Sequence, residues 1–334
     1  MPNPVPVPAP GAPAQGRGAV TLQRLLVPLD GSRLAECVLP IVISLAQHLR
    51  SRLTLLHVME RSAPTTVHGE RHLTAVAEAE AYLAAVASRC PPGLPVDRHV
   101  HPNEEGDVAR SIIEHAADLG AGLIILSTHG RGGARRVLFG SVAQQVLRGG
   151  TRPVLLNRPP DAGTPGEARA GQAGAWELAR VLVPLDGSPS SEDALPMAVA
   201  LAGAYGAEVH LLRIVPTLQT IPGERASTAR LVPTATQVSL EIEEEEAGRA
   251  LEAIASMIRA QGVQARPAVG RGEPAQGVLE GALRLNADLV IMATHGRTGL
   301  DAVLSGSVAS RIAAKFPRPL LLVRSARSDD GGMS

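Results

Sequence analysis

Leu25-Leu-Val-Pro-Leu-Asp-Gly-Ser32 recurs downstream as Val181-Leu-Val-Pro-Leu-Asp-Gly-Ser188, so positions 25 and 181 mark an offset of 156 residues. Each octapeptide is a short apolar run that ends on Asp-Gly-Ser, the profile of a buried strand stopping at a turn or a helix start. Leu55-Leu-His-Val58 and Leu211-Leu-Arg-Ile214 keep that offset. Further on it becomes 166: Thr128-His-Gly130 recurs as Thr294-His-Gly296, and Gly140-Ser-Val-Ala143 as Gly306-Ser-Val-Ala309. Arg152-Pro-Val-Leu-Leu156 and Arg318-Pro-Leu-Leu-Leu322 share the second value. One collinear unit therefore occurs twice, with about ten extra residues in the second copy. They enter after Ile214, and Pro216 to Leu240 is the expected place.

Within each copy, apolar runs of strand length alternate with helical periodicity. Arg24–Pro28, Leu53–Met59, Leu123–Ser127 and Pro153–Asn157 are continuously apolar, which suits strands covered on both faces and hence a parallel sheet. Between them Leu34, Val38, Val42, Leu45 and Leu49 fall on one helical face. Val76, Ala79, Leu83 and Val86 mark a second helix, and Val108, Ile112, Ala116 and Leu119 a third. The last helix is expected to run from Ser141, as N-cap, to about Arg148. Pro40 and Pro196, inside the first helix of each copy, should kink it or delay its start. The order βαβαβαβαβ predicts an α/β chain of two tandem, doubly wound, five-stranded parallel-sheet domains. Their expected limits are 21–158 and 177–325. A Pro/Gly/Ala linker would span 159–176, with disordered tails at 1–20 and 326–334.

Composition narrows the function classes. Of 334 residues 45% are hydrophobic and 19% charged, and the formal net charge is +0. With a mean hydropathy of +0.09, this describes a soluble globular protein. No apolar run is long enough for a bilayer, and neutrality removes any global pull towards nucleic acid or anionic lipid. Lys315 is the only lysine, so a Gly-Lys phosphate loop is excluded. Met1–Gly18 lacks the basic start and apolar centre of an export signal, and the expected compartment is the cytoplasm. Cys37 and Cys90 read as partly buried free thiols. The acidic run Glu241–Glu246 reads as a solvated helix face.

Ligands of open parallel sheets bind beyond the carboxyl ends of the strands, where strand order reverses. Three segments of each copy should meet there. Asp30-Gly-Ser32 and Asp186-Gly-Ser188 follow the first strand, and such an Asp can accept hydrogen bonds from a ribose hydroxyl or an adenine amine. Helix capping by Asp30 or Ser32 accounts for the same residues. Ser127-Thr-His-Gly-Arg-Gly-Gly133 and Ala293-Thr-His-Gly-Arg-Thr-Gly299 follow the fourth strand. They fail as dinucleotide fingerprints, because Arg135 and Thr298 stand where glycines are needed. Gly140-Ser141 and Gly306-Ser307 open the last helix, where free amides and the helix dipole favour an anion. A plain helix start carries the same signature. His129 and His295 have no partnered nucleophile or acid near them in sequence, and no catalytic or metal-ligating residue is assigned.

In both copies this constellation resembles the universal stress protein family. The family's ATP-binding signature is a glycine, two residues, a glycine, nine residues, then Gly-Ser or Gly-Thr. Gly130 is followed by nine residues and Gly140-Ser141, and Gly296 likewise by Gly306-Ser307. Ser127 and Ala293 replace the first glycine. The resemblance implies a Rossmann-like fold of the adenine nucleotide alpha hydrolase type, whose domains pair antiparallel through their last strands. It thus implies an internal pseudo-dimer and leaves open a further homodimer. The implied ligand is ATP, with Mg²⁺ held through phosphate oxygens. Asp30 and Asp186 would contact adenine or ribose, with Val58 and Ile214, ending strand two, beside the base and Leu126 and Met292 lining the pocket. Gly130, Gly140, Ser141 and Val142 would hold phosphates through their amides, as would Gly296, Gly306, Ser307 and Val308. Arg131 and Arg297 would neutralise phosphate charge. The function implied is that of a stress-response sensor or regulator with little or no turnover, working through an unidentified protein partner. The alternatives are a protein that has lost the nucleotide and acts by association, or a slow ATP hydrolase.

Overall fold

The computed structural model describes residues 21–61, 66–67, 70–128, 140–159, 176–221, 227, 231–294 and 308–325. Repeat 1 supplies strands β1 (Arg24–Pro28), β2 (Arg52–Glu60), β5 (Val96–Glu105), β6 (Leu123–Ser127) and β7 (Val154–Asn157). A two-stranded hairpin, β3 (Thr66–Val67) with β4 (Glu70–Arg71), follows β2. Its helices are α1 (Arg33–Glu36), α2 (Leu39–His48), α3 (Val76–Ala87), α4 (Val108–Asp118) and α5 (Ser141–Gly149). Repeat 2 supplies β8 (Arg180–Pro184), β9 (Glu208–Val215), β10 (Ala265–Arg271), β11 (Leu289–Thr294) and β12 (Leu320–Arg324). The helices α6 (Leu195–Tyr205), α7 (Pro233–Ala260), α8 (Pro274–Arg284) and α9 (Val308–Lys315) pack on them.

All ten long strands form one sheet, in the order β10-β9-β8-β11-β12-β7-β6-β1-β2-β5. Each repeat is parallel throughout, and the seam is the antiparallel pair β7–β12, with Leu155 opposite Leu321. Pairing the last strands removes two apolar sheet edges at once. Along β1 and β6 the side chains alternate between two cores. Leu25, Val27, Leu123 and Ile125 join the core under α2, α3, α6 and α7, while Leu26, Ile124 and Leu126 join that under α4, α5, α8 and α9. This two-sided burial is why the strands read as unbroken apolar runs.

The prolines delay their helices. Pro40 and Pro196 sit in the first turns of α2 and α6, where a missing N–H removes no helical hydrogen bond. The residues before them form separate short pieces, α1 in repeat 1 and a 3-10 turn, Ser191–Ala194, in repeat 2. The extra residues of repeat 2 lengthen a helix: α7 has 28 residues where α3 has 12. The acidic run lies within α7, where Glu241, Glu245 and Glu246 are exposed and Glu244 pairs with Arg271. Cys37 and Cys90 are free and half-buried, and burial raises both thiol pKa values.

Candidate functional site

Strand order reverses at β1, with β2 on one side and β6 on the other. A cavity of about 540 Å³ opens beyond the carboxyl ends of these strands, within the range that holds small ligands. Asp30, Val58, Leu126, Gly140, Ser141 and Val142 all line it. The structure therefore gathers six of the eight residues singled out in repeat 1. The other two, Gly130 and Arg131, lie outside the described residues, as does His129.

Asp30 is held in place by its neighbour. Its Oδ1 accepts hydrogen bonds from the Ser32 amide (2.9 Å) and hydroxyl (2.6 Å). Ser32 Oγ in turn accepts from the Ala35 amide, so Ser32 is the N-cap of α1. Capping belongs to the serine, and Asp30 is the carboxylate it orients. Gly31 between them has φ +91°, a conformation that side chains other than glycine's disfavour. Asp186, Gly187 and Ser188 repeat the arrangement with the same distances and the same φ.

At the opposite wall α5 starts one residue earlier than expected. Gly140, extended at φ −60° and ψ 154°, is the N-cap, and Ser141 is the first helical residue. With the glycine as cap, the serine enters the helix. The first helical hydrogen bond runs from the Gln144 amide to the Gly140 carbonyl (3.0 Å), and among the described residues no side chain caps the turn. The amides of Ser141, Val142 and Ala143 precede that bond, at the positive end of the helix, on residues that line the cavity.

Val58 lies two residues short of the end of β2, and Ile214 one residue short of the end of β9, rather than at the strand termini. The register shifts between Val58 and Glu60, so the strand runs on through an irregularity. Three residues around this end of the strand were passed over in the sequence. Glu60, His57 and His72 also line the cavity. Leu73, just after the hairpin, packs over Gly31, where a built Cβ would lie 3.0 Å from its side chain. The hairpin has no apolar run, so only its position after strand two could have flagged it.

His57 is buried, and its Nδ1 lies 2.7 Å from the Leu29 carbonyl oxygen. A carbonyl only accepts, so Nδ1 carries the proton and donates. Burial lowers the His57 pKa against the opposing effect of that hydrogen bond, which keeps the ring neutral. Its Nε2 is thus a lone pair with no hydrogen-bond partner. His57 lines the cavity as a residue while its Nε2 itself is covered.

In repeat 2 Asp186, Ile214, Met292 and Val308 are described, while Gly296, Arg297, Gly306 and Ser307, with His295, lie outside the described residues. Ile214 and Met292 stand in β9 and β11, and Val308 opens α9. Arg213 takes the place of His57. A Cβ built on Gly187 would sit 2.7 Å from the Arg213 guanidinium, so a cation lies over the Asp186 turn.

A family model described as the universal stress protein family matches residues 21–158 and again 177–324. The chain belongs to the universal stress protein family. A universal stress protein of Mycolicibacterium smegmatis is 32% identical over 220 residues, covering 65% of this chain and 66% of its own length. One from Methanocaldococcus jannaschii is 29% identical over 150 residues, covering 45% of this chain and 84% of its own. Among solved structures, a universal stress protein from Archaeoglobus fulgidus covers 91% of this chain and 98% of its own, with TM-score 0.65 at 18% identity. That likeness speaks for the fold of a tandem member. No described helix of this universal stress protein chain is long and apolar enough to cross a membrane.

Proposed function

We propose that the cavity of repeat 1 binds an adenine nucleotide, ATP with Mg²⁺ held through its phosphates, and that the protein is a nucleotide-responsive stress regulator of the cytoplasm. The observation that carries this reading is the cavity itself. It joins a fixed carboxylate, an apolar slot between Val58 and Leu126, and the uncapped amides of α5. These are the parts that a ribose or adenine, a purine face and a polyphosphate each require.

Regulation rather than turnover is favoured by how Asp30 is held. Its Oδ1 takes two hydrogen bonds from Ser32, which suits a recognition carboxylate more than a base that must take up a proton. Nucleotide binding would act on the contacts of the paired repeats or of an unidentified protein partner, a second copy of the chain included. Repeat 2 belongs to the same proposal as a weaker second site, with Asp186, Ile214, Met292, Gly296, Arg297, Gly306, Ser307 and Val308 at the matching positions. Gly130 and Arg131 complete the set in repeat 1.

Isothermal titration of the full chain with Mg-ATP tests the reading, with mass spectrometry of small molecules released from the fresh protein. Saturable heat that Asp30→Ala removes is the expected result. A flat titration and no co-purified nucleotide would instead leave a protein acting by association alone, the reading that Ser127 and Ala293 favour.

A further inference from the structure

A second set of convergent polar groups lies outside the cavity. His99 and His101, two residues apart on β5, stand opposite Leu56 and Val58 of β2, which belong to the core under α4. His115 comes from α4 itself. The three residues offer ring nitrogens that all lie within 4.8 Å of one another, and all three are only partly buried. Nε2 of His115 is 3.0 Å from Nε2 of His99. The rings of His99 and His101 are centred 4.7 and 5.0 Å from that of His115.

The surroundings fix the donors. His115 Nδ1 donates to the Ser111 carbonyl at 2.7 Å, one turn back, so its Nε2 presents a lone pair to the cluster. Carbonyls hold metal-ligating imidazoles in this way, by choosing the tautomer. Glu105 Oε1 lies 3.0 Å from His101 Nε2, beside the cluster rather than within it.

Repeat 2 is an internal control. By strand register Ala268 and Gly270 take the places of His99 and His101. Gly281, eight residues past the Glu273 cap as His115 is past Asp107, takes the third. There the space is filled by aliphatic side chains. A Cβ on Gly270 would meet Ile214 Cδ1 at 2.7 Å, and one on Gly281 would meet Leu212 Cδ2 at 2.6 Å. The fold therefore does not require imidazoles here, and one repeat packs the same interval with carbon.

We propose that His99, His101 and His115 form a binding site for a late first-row divalent transition metal, with zinc as the ion the donor set suits best. Neutral imidazoles suit zinc, copper and nickel over magnesium or calcium. A tetrahedral zinc with Zn–N bonds of about 2.0–2.1 Å places its ligating nitrogens about 3.3 Å apart. The His99–His115 spacing is already near that, and side-chain rotation brings in His101. β5 is an edge strand of the sheet, and α4 contributes Val108 and Ile112 to the cavity wall. The ion clamps that edge to that wall.

The test uses the full chain, stripped with a chelator and dialysed free of nucleotide, so that no phosphate can carry the metal. Titration with ZnCl₂, and with Co²⁺ read by visible absorption, should give one ion per chain and the intense d–d bands of a tetrahedral site. His99→Ala/His115→Ala should weaken binding by at least about a hundredfold, the loss expected when ligands rather than their outer partners go. His115→Gln is the smaller change should the double variant misfold, and its circular dichroism should match the parent. His48→Ala should bind as the parent does. No uptake by the parent, or uptake equal in parent and His115→Gln, overturns the site.

Discussion

The Nδ1 atom of His57 donates to the carbonyl oxygen of Leu29 across the tips of β2 and β1. That contact fixes the ring of a residue that lines the repeat-1 cavity and leaves Nε2 as a covered lone pair with no hydrogen-bond partner. A base that uncovers this acceptor would satisfy it with the exocyclic amine of adenine, whereas the carbonyl oxygen of guanine would oppose it. The chain should therefore bind ATP more tightly than GTP. His57→Leu should weaken ATP by about tenfold, the worth of one hydrogen bond, and leave GTP nearly unchanged. Competition titrations with the two nucleotides check this; equal losses for both would place His57 away from the base.

The same imidazole makes stability depend on pH. Burial lowers the His57 pKa from its ordinary 6.5, with His72 acting in the same direction and the Leu29 carbonyl and Asp30 opposing. Burial likewise lowers His99 and His210. Between the unfolded pKa and the lowered folded one, the unfolded chain binds more protons, so acid favours unfolding. Stability should be full above about pH 6.5. It should then fall on acidification by at most about 1.4 kcal/mol per pH unit for each such group. Denaturant midpoints from pH 7.5 to 5.5 should drop in the parent and drop less steeply in His57→Gln.

The repeats should not contribute equally to binding. Asp30 and Asp186 sit in superimposable turns, but the residue beside them is a neutral imidazole in one and the Arg213 guanidinium in the other. The cation occupies the approach to the Asp186 turn. Titration should accordingly give one tight ATP site per chain, lost in Asp30→Ala and kept in Asp186→Ala. Arg213→His should add a second site. Two equal sites in the parent would contradict this reading.

Much of the scaffold was legible because it was written twice. The octapeptide at Leu25 and its copy at Val181 located strand one in both halves, and the apolar runs marked strands with two covered faces. What was misread lies where one residue decides a boundary. Ser141 was expected to cap α5, but the extended backbone of Gly140 does so, and residue identity alone does not rank Gly against Ser at adjacent positions. The site was legible only where motifs recur. His57 was passed over because its counterpart is Arg213, and the hairpin because it carries no apolar run. The His99–His101 pair carried a signal that was available: two histidines at period two on one strand share a face. Its third member comes from α4 and meets them only through the fold.

The joint between the repeats rests on more than strand pairing, and a double-mutant cycle can measure the rest. Ser44 of α2 donates its hydroxyl proton to the Trp176 carbonyl at 2.5 Å. The Tyr205 hydroxyl is 2.9 Å from Ser44 Oγ, and since the serine proton is already given, the tyrosine must be the donor. His48 stacks on the Tyr205 ring with centroids 3.9 Å apart, and Trp176 meets it edge-on at 5.7 Å. Burial raises the Tyr205 pKa to about 12, which keeps the phenol a donor at any working pH. Tyr205→Phe should cost about 1 kcal/mol, one hydrogen bond with the ring packing kept. Ser44→Ala should cost more, because it leaves the Trp176 carbonyl and the Tyr205 hydroxyl unpaired together, each at about 1–3 kcal/mol. The double variant should then destabilise by less than the two single costs combined, since the phenol no longer needs a partner. Urea denaturation of the four proteins gives the coupling, and strict additivity would show that Ser44 and Tyr205 act independently at the joint.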